Sequence, residues 1–374
     1  MSVEIIGMIG VQREGTGTKG TEVHVIGGGI DPDYIVKFAR AHEESGFDKA
    51  LVGYTSTSAD GFAVAMHAAA HTTKLGYLIA HRPGFLSPTL AARKVATIDH
   101  ITKGRIALHI ISGGGDAEQR RDGDFLDHDS RYRRSGEFMH LLRRVWTEDQ
   151  PFDHEGEYYR VEQAWSDLKC YQQPHVPLYF GGASKAALKV AAEQCNVYAI
   201  WGEPVSEVEN KISLMRQTLK ETGRDPSAVG FSVSLRPILG TTESEAWERA
   251  RAILDNVLET GQRSTIGLST TRLQSEGSRR LLEFARQGDV LDERLYMPIA
   301  KATGAAGNTT ALVGTAEQVV ESLIRYYKAG CTTILIRGFD PLNDAVEYGR
   351  QLIPMLRDRV RNYVKAGERS KPSV

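Results

Sequence analysis

Short apolar runs alternating with amphipathic helical patterns constrain this chain more than anything else in it. Eight runs read as strands, near Ile5–Val11, Lys49–Gly53, Leu75–Ala80, Arg105–Ile111, Pro177–Phe180, Asn196–Ile200, Gly230–Ile238 and Thr332–Ile336. Apolar residues at helical spacing separate them, over Pro32–Ser45, Asp60–His71, Pro88–Ile101, Arg131–Trp146, Lys185–Gln194, Val205–Thr222, Ser244–Glu259 and Ala316–Ala329. Strands alternating with helices predict an α/β protein with a parallel sheet, and eight such units predict a (β/α)8, TIM-like barrel. The 374 residues exceed what a bare barrel needs, and two long connections hold the surplus: 113–175 after the fourth strand and 260–312 after the seventh. The reading is one barrel domain over 1–360 and a charged tail over 361–374 that frays.

In a barrel of this kind the chemistry gathers at the carboxyl ends of the strands. Val176–Glu193, VPLYFGGASKAALKVAAE, reads as strand, glycine turn and alanine-rich helix. Gly181 and Gly182 let the backbone approach a ligand, and the helix start with the Ser184 hydroxyl offers donors to a phosphate. The same residues also suit an ordinary turn with a serine cap. The other strand ends carry small, polar or aromatic residues: Tyr54 to Ser58, Ala80-His81-Arg82-Pro83, Ser112-Gly113-Gly114-Gly115, Trp201-Gly202-Glu203-Pro204, Ser234-Leu235-Arg236-Pro237 and Arg337-Gly338-Phe339-Asp340. Together they suit a flat, phosphorylated cofactor.

Composition excludes several classes of function. Lys+Arg of 46 against Asp+Glu of 47 leaves a net charge of −1, with no basic footprint for nucleic acid or an anionic membrane. No apolar run reaches the length of a membrane span, and the first residues lack a secretory pattern. Three scattered cysteines, Cys170, Cys195 and Cys331, fit a reducing cytoplasm better than a disulfide or metal framework. The histidines show no spacing with carboxylates that commits to a metal. A cytoplasmic protein is expected.

Any preference for anions must then come from individual arginines. Period two puts Ser232, Ser234 and Arg236 on one strand face and Phe231, Val233 and Leu235 on the other, so Arg236 should meet either a ligand or an acidic neighbour. Arg82 and Arg337, each just past a strand, face the same choice. Before the helix at Arg131, the segment Gly123 to Tyr132 offers Asp129 or Ser130 as a cap, and an imidazole and a phenol that either join a phosphate cage or cover a surface helix. Trp201 either lines a pocket or packs in the core. Gly113-Gly114-Gly115 matches neither a Walker nor a Rossmann spacing.

These segments resemble the bacterial luciferase-like flavin monooxygenases, and among them the alkanesulfonate monooxygenase branch. The likeness lies in Arg82-Pro83 with Ser87-Pro88-Thr89 and Ala91-Ala92-Arg93, Ala96 to Asp99 with Gly104-Arg105, Asp122 to His128 with Arg131-Tyr132, Pro177 to Ser184, Trp201 to Pro204, and Ala311 to Gly314. It implies reduced FMN delivered by a separate NAD(P)H-dependent FMN reductase, O2 as co-substrate, and a homodimer or homotetramer. It also implies that Ala80, Ser112, His128, Tyr132, Gly182, Ala183 and Ser184 bind the cofactor. His81, Arg236 and Trp201 become the catalytic candidates, with His81 for proton transfer. Ser58, Arg82, Ser234, Arg337 and Phe339 become the substrate contacts, and 260–312, with Arg263, Arg272, Arg279 and Arg280, a lid.

On the substrate side the sequence departs from that branch. The branch's arginine–histidine pair on the seventh strand is Ser234 and Arg236 here, its active-site tyrosine is Phe339, its cysteine is Ser58, and its lid arginine has no counterpart near Thr303. The expectation is oxidation of a small anionic organosulfur compound, an alkanesulfonate first, with C–S cleavage to aldehyde and sulfite. Another small anion is the alternative substrate. The competing readings are an F420-dependent oxidoreductase and a flavin-binding protein without turnover.

Overall fold

The computed structural model describes residues 2–12, 29–260, 275–305 and 308–369. Eight parallel strands close into a barrel: β1 (Glu4–Met8), β2 (Lys49–Val52), β3 (Gly76–His81), β4 (Ile106–Ile110), β7 (Leu178–Gly181), β8 (Val197–Trp201), β9 (Gly230–Leu239) and β13 (Cys331–Ile336). Closure comes from β8 pairing with β9, which in turn pairs with β13, which returns to β1. Helices α1 (Pro32–Glu44), α2 (Gly61–Ala70), α3 (Pro88–Thr102), α5 (His128–Thr147), α6 (Lys185–Gln194), α7 (Val205–Glu221) and α11 (Ala316–Ala329) cover the outside. The fit between strand and helix follows from alternation. Ile5, Tyr77, Ile79, Leu108, Phe180, Tyr198, Val233 and Ile334 turn outward into one large apolar layer beneath the helices. Ile6, Leu78, Ala107, Tyr179 and Leu335 turn inward and meet in the barrel's middle. Below them Glu4 accepts from Tyr179 Oη at 2.7 Å and from Thr333 Oγ1 at 3.2 Å and pairs with Lys49, which satisfies the polar groups at the amino end.

The connection from β4 to β7 holds α4 (Asp116–Arg121), the covering helix α5, and a hairpin of β5 (Phe152–Glu155) and β6 (Arg160–Ala164). Helix α5 starts three residues earlier than its apolar pattern predicts. Its cap is neither Asp129 nor Ser130 but Asp127, whose carboxylate accepts from Ser130 N at 2.9 Å. The connection from β9 to β13 holds α8 (Glu243–Thr260), α9 (Glu276–Gln287), β10 (Val290–Leu291), β11 (Leu295–Tyr296), α10 (Pro298–Ala302) and β12 (Ala311–Gly314) before α11. Strand β9 is ten residues long and outgrows the barrel. Its upper part, from Arg236 to Leu239, pairs with β12, which carries β11 and β10 as a small outer sheet. A second apolar cluster, with Ile238, Ala250, Ile253, Val313 and Phe339, fills the space beneath α8. The chain ends in α12 (Pro341–Glu347), a π-helical turn (Tyr348–Leu352) and α13 (Ile353–Arg369). No helix among the described residues is long and apolar enough to cross a membrane. Of the lid expected over 260–312, Arg263 and Arg272 lie outside the described residues.

Candidate active site

Register fixes which side chains meet at the carboxyl end of the barrel. Met8 pairs with Leu51, Ala80 with His109, Gly181 with Ala199, and Trp201 with Ser234. These share parity with the inward layer of the barrel, so they form the wall of its mouth, and Arg337 continues the inward face of β13. Leu51, His109, Gly181, Ala199, Trp201, Ser234 and Arg337 are only half buried although helices cover the strands outside. Their exposure comes from the open end. The wall is uneven. Ala80, Gly181 and Ala199 project almost nothing, so on that arc the His109 imidazole, between Ala80 and Gly181, is the only large side chain a flat ring would meet before Trp201. Opposite them stand Ser234, Arg337 and Met8.

Beside that arc the turn from β7 to α6 packs closely against Tyr132 of α5. Gly182 has φ +133°, and a Cβ there would lie 2.6 Å from Ala187 Cβ and 2.7 Å from Tyr132 Oη. Only glycine lets that turn and the phenol approach so closely. Ser184 caps α6, its hydroxyl accepting from Ala187 N at 3.2 Å, and no acidic residue occupies the first turn. The His128 and Tyr132 rings meet edge-on at 4.9 Å, and Tyr132 packs edge-on against Phe180 at 5.9 Å. Burial pushes the Tyr132 phenol up to about 12, so it stays a donor. The structure thus brings His128 and Tyr132 against Gly182, with Ala183 and Ser184 following it at the start of α6. A glycine turn, a helix start and a neutral phenol together offer donors that could hold an anionic group such as a phosphate. Ala80 lies on the mouth wall. Ser112 is buried, its hydroxyl bonded to Ser135 on α5 at 2.8 Å.

The expected catalytic and substrate residues divide differently. His81 is the last residue of β3 but has outward parity, wedged between Phe62 of α2 at 5.5 Å and Phe138 of α5 at 5.3 Å. The imidazole facing the mouth is His109 of β4, on the same face as Ala107. Burial pulls His109 down to about 4, so it is uncharged at neutral pH. Its signal was present in the sequence: Ile106, Leu108 and Ile110 alternate with Ala107 and His109.

The three arginines part company. Arg82 is buried and neutralised by acids: Nη2 donates to both Glu118 oxygens at 2.6 and 2.8 Å, Nη1 reaches Asp122 at 3.3 Å, and the guanidinium lies 4.7 Å from the Tyr54 ring. It ties the β2, β3 and β4 loops together and is not a substrate contact. Arg236 has the expected parity but sits where β9 leaves the barrel, with no exposed surface. Its guanidinium lies 3.6 Å over Phe339 and donates to Gly338 O at 2.5 Å. Phe339 is fully buried in turn, its backbone N–H held by Asp344 at 2.8 Å. Both belong to packing, not to a substrate surface. Ser58 closes its own loop, bonded to Thr55 O at 3.0 Å.

Arg337 is different. It donates to Asn308 O at 2.8 Å and approaches Met8 Sδ at 3.2 Å, and among the described residues no carboxylate pairs with it. Burial pulls it down to about 10, which leaves it a cation at neutral pH. Asn308, which the sequence pattern did not single out, organises this corner. Its Nδ2 donates to Ser234 Oγ at 3.1 Å, and its Oδ1 accepts from Gly202 N at 3.3 Å and Thr310 Oγ1 at 2.9 Å. Trp201, Ser234 and Arg337 are thus held in one cluster. Among the described residues no group of three or more His, Cys, Asp or Glu gathers as a metal site, and Cys170, Cys195 and Cys331 are buried free thiols.

The family model described as luciferase-like monooxygenase matches residues 7–333. Among solved structures, riboflavin lyase (RcaE), with modified FMN and its substrate riboflavin, superposes with a TM-score of 0.76 at 18% identity, over 96% of this chain and 92% of that one. DmoA from Hyphomicrobium sulfonivorans gives 0.76 at 19% identity, over 96% and 89%. An F420-dependent secondary alcohol dehydrogenase gives 0.69 at 17% identity, over 96% and 100%. At these identities the likeness to each is one of fold.

Proposed function

The chain belongs to the luciferase-like monooxygenase family, and on that premise we propose that it oxidises a small anionic organosulfur substrate, alkanesulfonates being the first class to test, with reduced FMN and O2. Arg337 carries the anionic half of this reading. A half-buried guanidinium that gives up part of its water without gaining an acid favours a bound anion, and its planar fork suits a sulfonate or carboxylate edge. The small arc of Ala80, Gly181 and Ala199, leading to Gly182, Ser184, Tyr132 and His128, supports the flavin half. FMN bound there in reduced form, supplied by a separate NAD(P)H-dependent FMN reductase, would bring the O2-activating chemistry.

The chain's own residues do the remaining work. Arg337 holds the anionic end of the substrate, and Ser234 and Asn308 brace that corner. Trp201 and Met8 keep the wall apolar and exclude water from the reacting end. His109, uncharged at neutral pH, takes the proton lost from carbon, the role the sequence had given to His81. For an alkanesulfonate, one oxygen atom of O2 ends on carbon as the aldehyde and the other in water. The C–S bond breaks to release sulfite, and the two electrons come from the reduced cofactor.

The test is substrate-stimulated O2 consumption with photoreduced FMN, run on alkanesulfonates, sulfones and carboxylates, with sulfite and aldehyde measured as products. Sulfite release that depends on Arg337 is the expected result. Hydride transfer with F420, and no anion-stimulated O2 uptake in the whole screen, would replace this reading with the oxidoreductase one.

A further inference from the structure

Glu203 takes no part in the chemistry above, yet it is a carboxylate with no exposed surface, two residues past Trp201. Two cations from different elements reach it. Lys211 comes from α7, the helix that Glu203 itself introduces. Arg280 comes from α9, far along the chain: its Nη2 donates to Glu203 Oε2 at 2.8 Å and its Nε to Oε1 at 3.2 Å, a two-point grip on the carboxylate. The same Nη2 also reaches Glu207 Oε2 at 3.1 Å. One turn earlier on α9, a Cβ at Gly277 would stand 3.1 Å from both Cε3 and Cζ3 of Trp201. The helix therefore lies against the indole at Gly277 and is bolted to the adjoining loop at Arg280. The loop closes the circle, since Glu203 N donates to Trp201 O at 2.8 Å.

We propose that Glu203 and Arg280 are a positioning pair that fixes the height of α9 over Trp201, and so sets how bulky a substrate the barrel mouth admits. The size-selective half rests on the reading of that mouth as the active site; the positioning half does not. Bidentate geometry matters here, because a single-point contact would let α9 pivot about its own axis. Gly277 matters for the opposite reason, since any side chain there needs either the helix or the indole to move.

The charge arithmetic chooses the variant. Glu203→Gln would leave Arg280 and Lys211 facing each other without their shared acid, and the fold would suffer. Arg280→Met leaves Glu203 compensated by Lys211, so the barrel should keep its cooperative unfolding. In Arg280→Met, amide exchange over 276–287 should accelerate about tenfold, and acrylamide quenching of Trp201, taken as the difference from Trp201→Phe in each background, should rise. Arg280→Lys should restore part of both. Gly277→Ala, which leaves the ion pair intact, should shift Trp201 quenching from the other side of the contact. In turnover, the ratio of kcat/KM for a long-chain over a short-chain substrate should change in Arg280→Met, with kcat for the short one preserved.

Unchanged exchange in Arg280→Met would overturn the proposal. So would faster exchange with no change at Trp201 in either variant, because α9 would then not position the indole. If the protein oxidises none of the screened anions, exchange and quenching still decide the positioning claim, and only the functional reading falls.

Discussion

His81 and His109 lie near the carboxyl ends of neighbouring strands and differ in which way they face. One is packed between two phenylalanines under the helices; the other meets the mouth. His81→Phe should therefore leave steady-state turnover near wild type, whereas His109→Phe should lower kcat by roughly two orders of magnitude, as loss of a general base does. Comparable losses in both would show that the outward ring matters through packing. The arginines separate in the same way. Arg337→Met should raise KM for an anionic substrate by about tenfold to a hundredfold, the worth of one charge-assisted hydrogen bond, and leave thermal stability almost unchanged. Arg82→Met should do the reverse. It strands Glu118, which is 5% exposed, and costs about 3–5 kcal/mol of stability, readable in a urea titration.

At the level of elements, the β7–α6 turn has a single tolerance. Gly182→Ala adds a Cβ to a positive-φ residue against Tyr132 and Ala187, so FMN affinity measured by fluorescence titration should fall with the barrel still folded. Wild-type affinity in that variant would remove the turn from the cofactor site. Much of this element was legible from sequence, because Gly-Gly-Ala-Ser between an apolar run and an alanine-rich helix is a local pattern. The eight barrel strands were legible for the same reason. What stayed hidden were contacts made at long range. The acids that neutralise Arg82 stand 36 and 40 residues away, on and just past a short helix with no apolar stripe to announce it. Arg236 had the right parity, but nothing local says that β9 runs past the barrel and there pairs with Ala311. His109 needed only a count of faces along β4.

Across the whole molecule, three imidazoles, the buried His42 and the half-buried His81 and His109, are each held down to about 4 by loss of water. The unfolded chain takes up those protons once pH falls below about 6.5, while the folded chain refuses them until about 4. Their shared contribution is therefore complete above the unfolded value and is lost as pH drops through that window. Chemical denaturation between pH 7 and 4.5 should show stability falling with acidification, and His42→Phe should flatten the slope. An unchanged slope would mean that the imidazoles are hydrated in the folded state.

The apolar layer of Ile6, Leu78, Ala107, Tyr179 and Leu335 is buried across the full width of the barrel, with the Glu4 cluster plugged beneath it. A vessel with a sealed base has one doorway, so arrivals and departures share it. Whatever enters first is trapped behind whatever enters second, and a spent product must clear the threshold before its replacement can come in. Product should accordingly compete with fresh substrate for entry, a traffic rule written into the floor and not into any group that does chemistry.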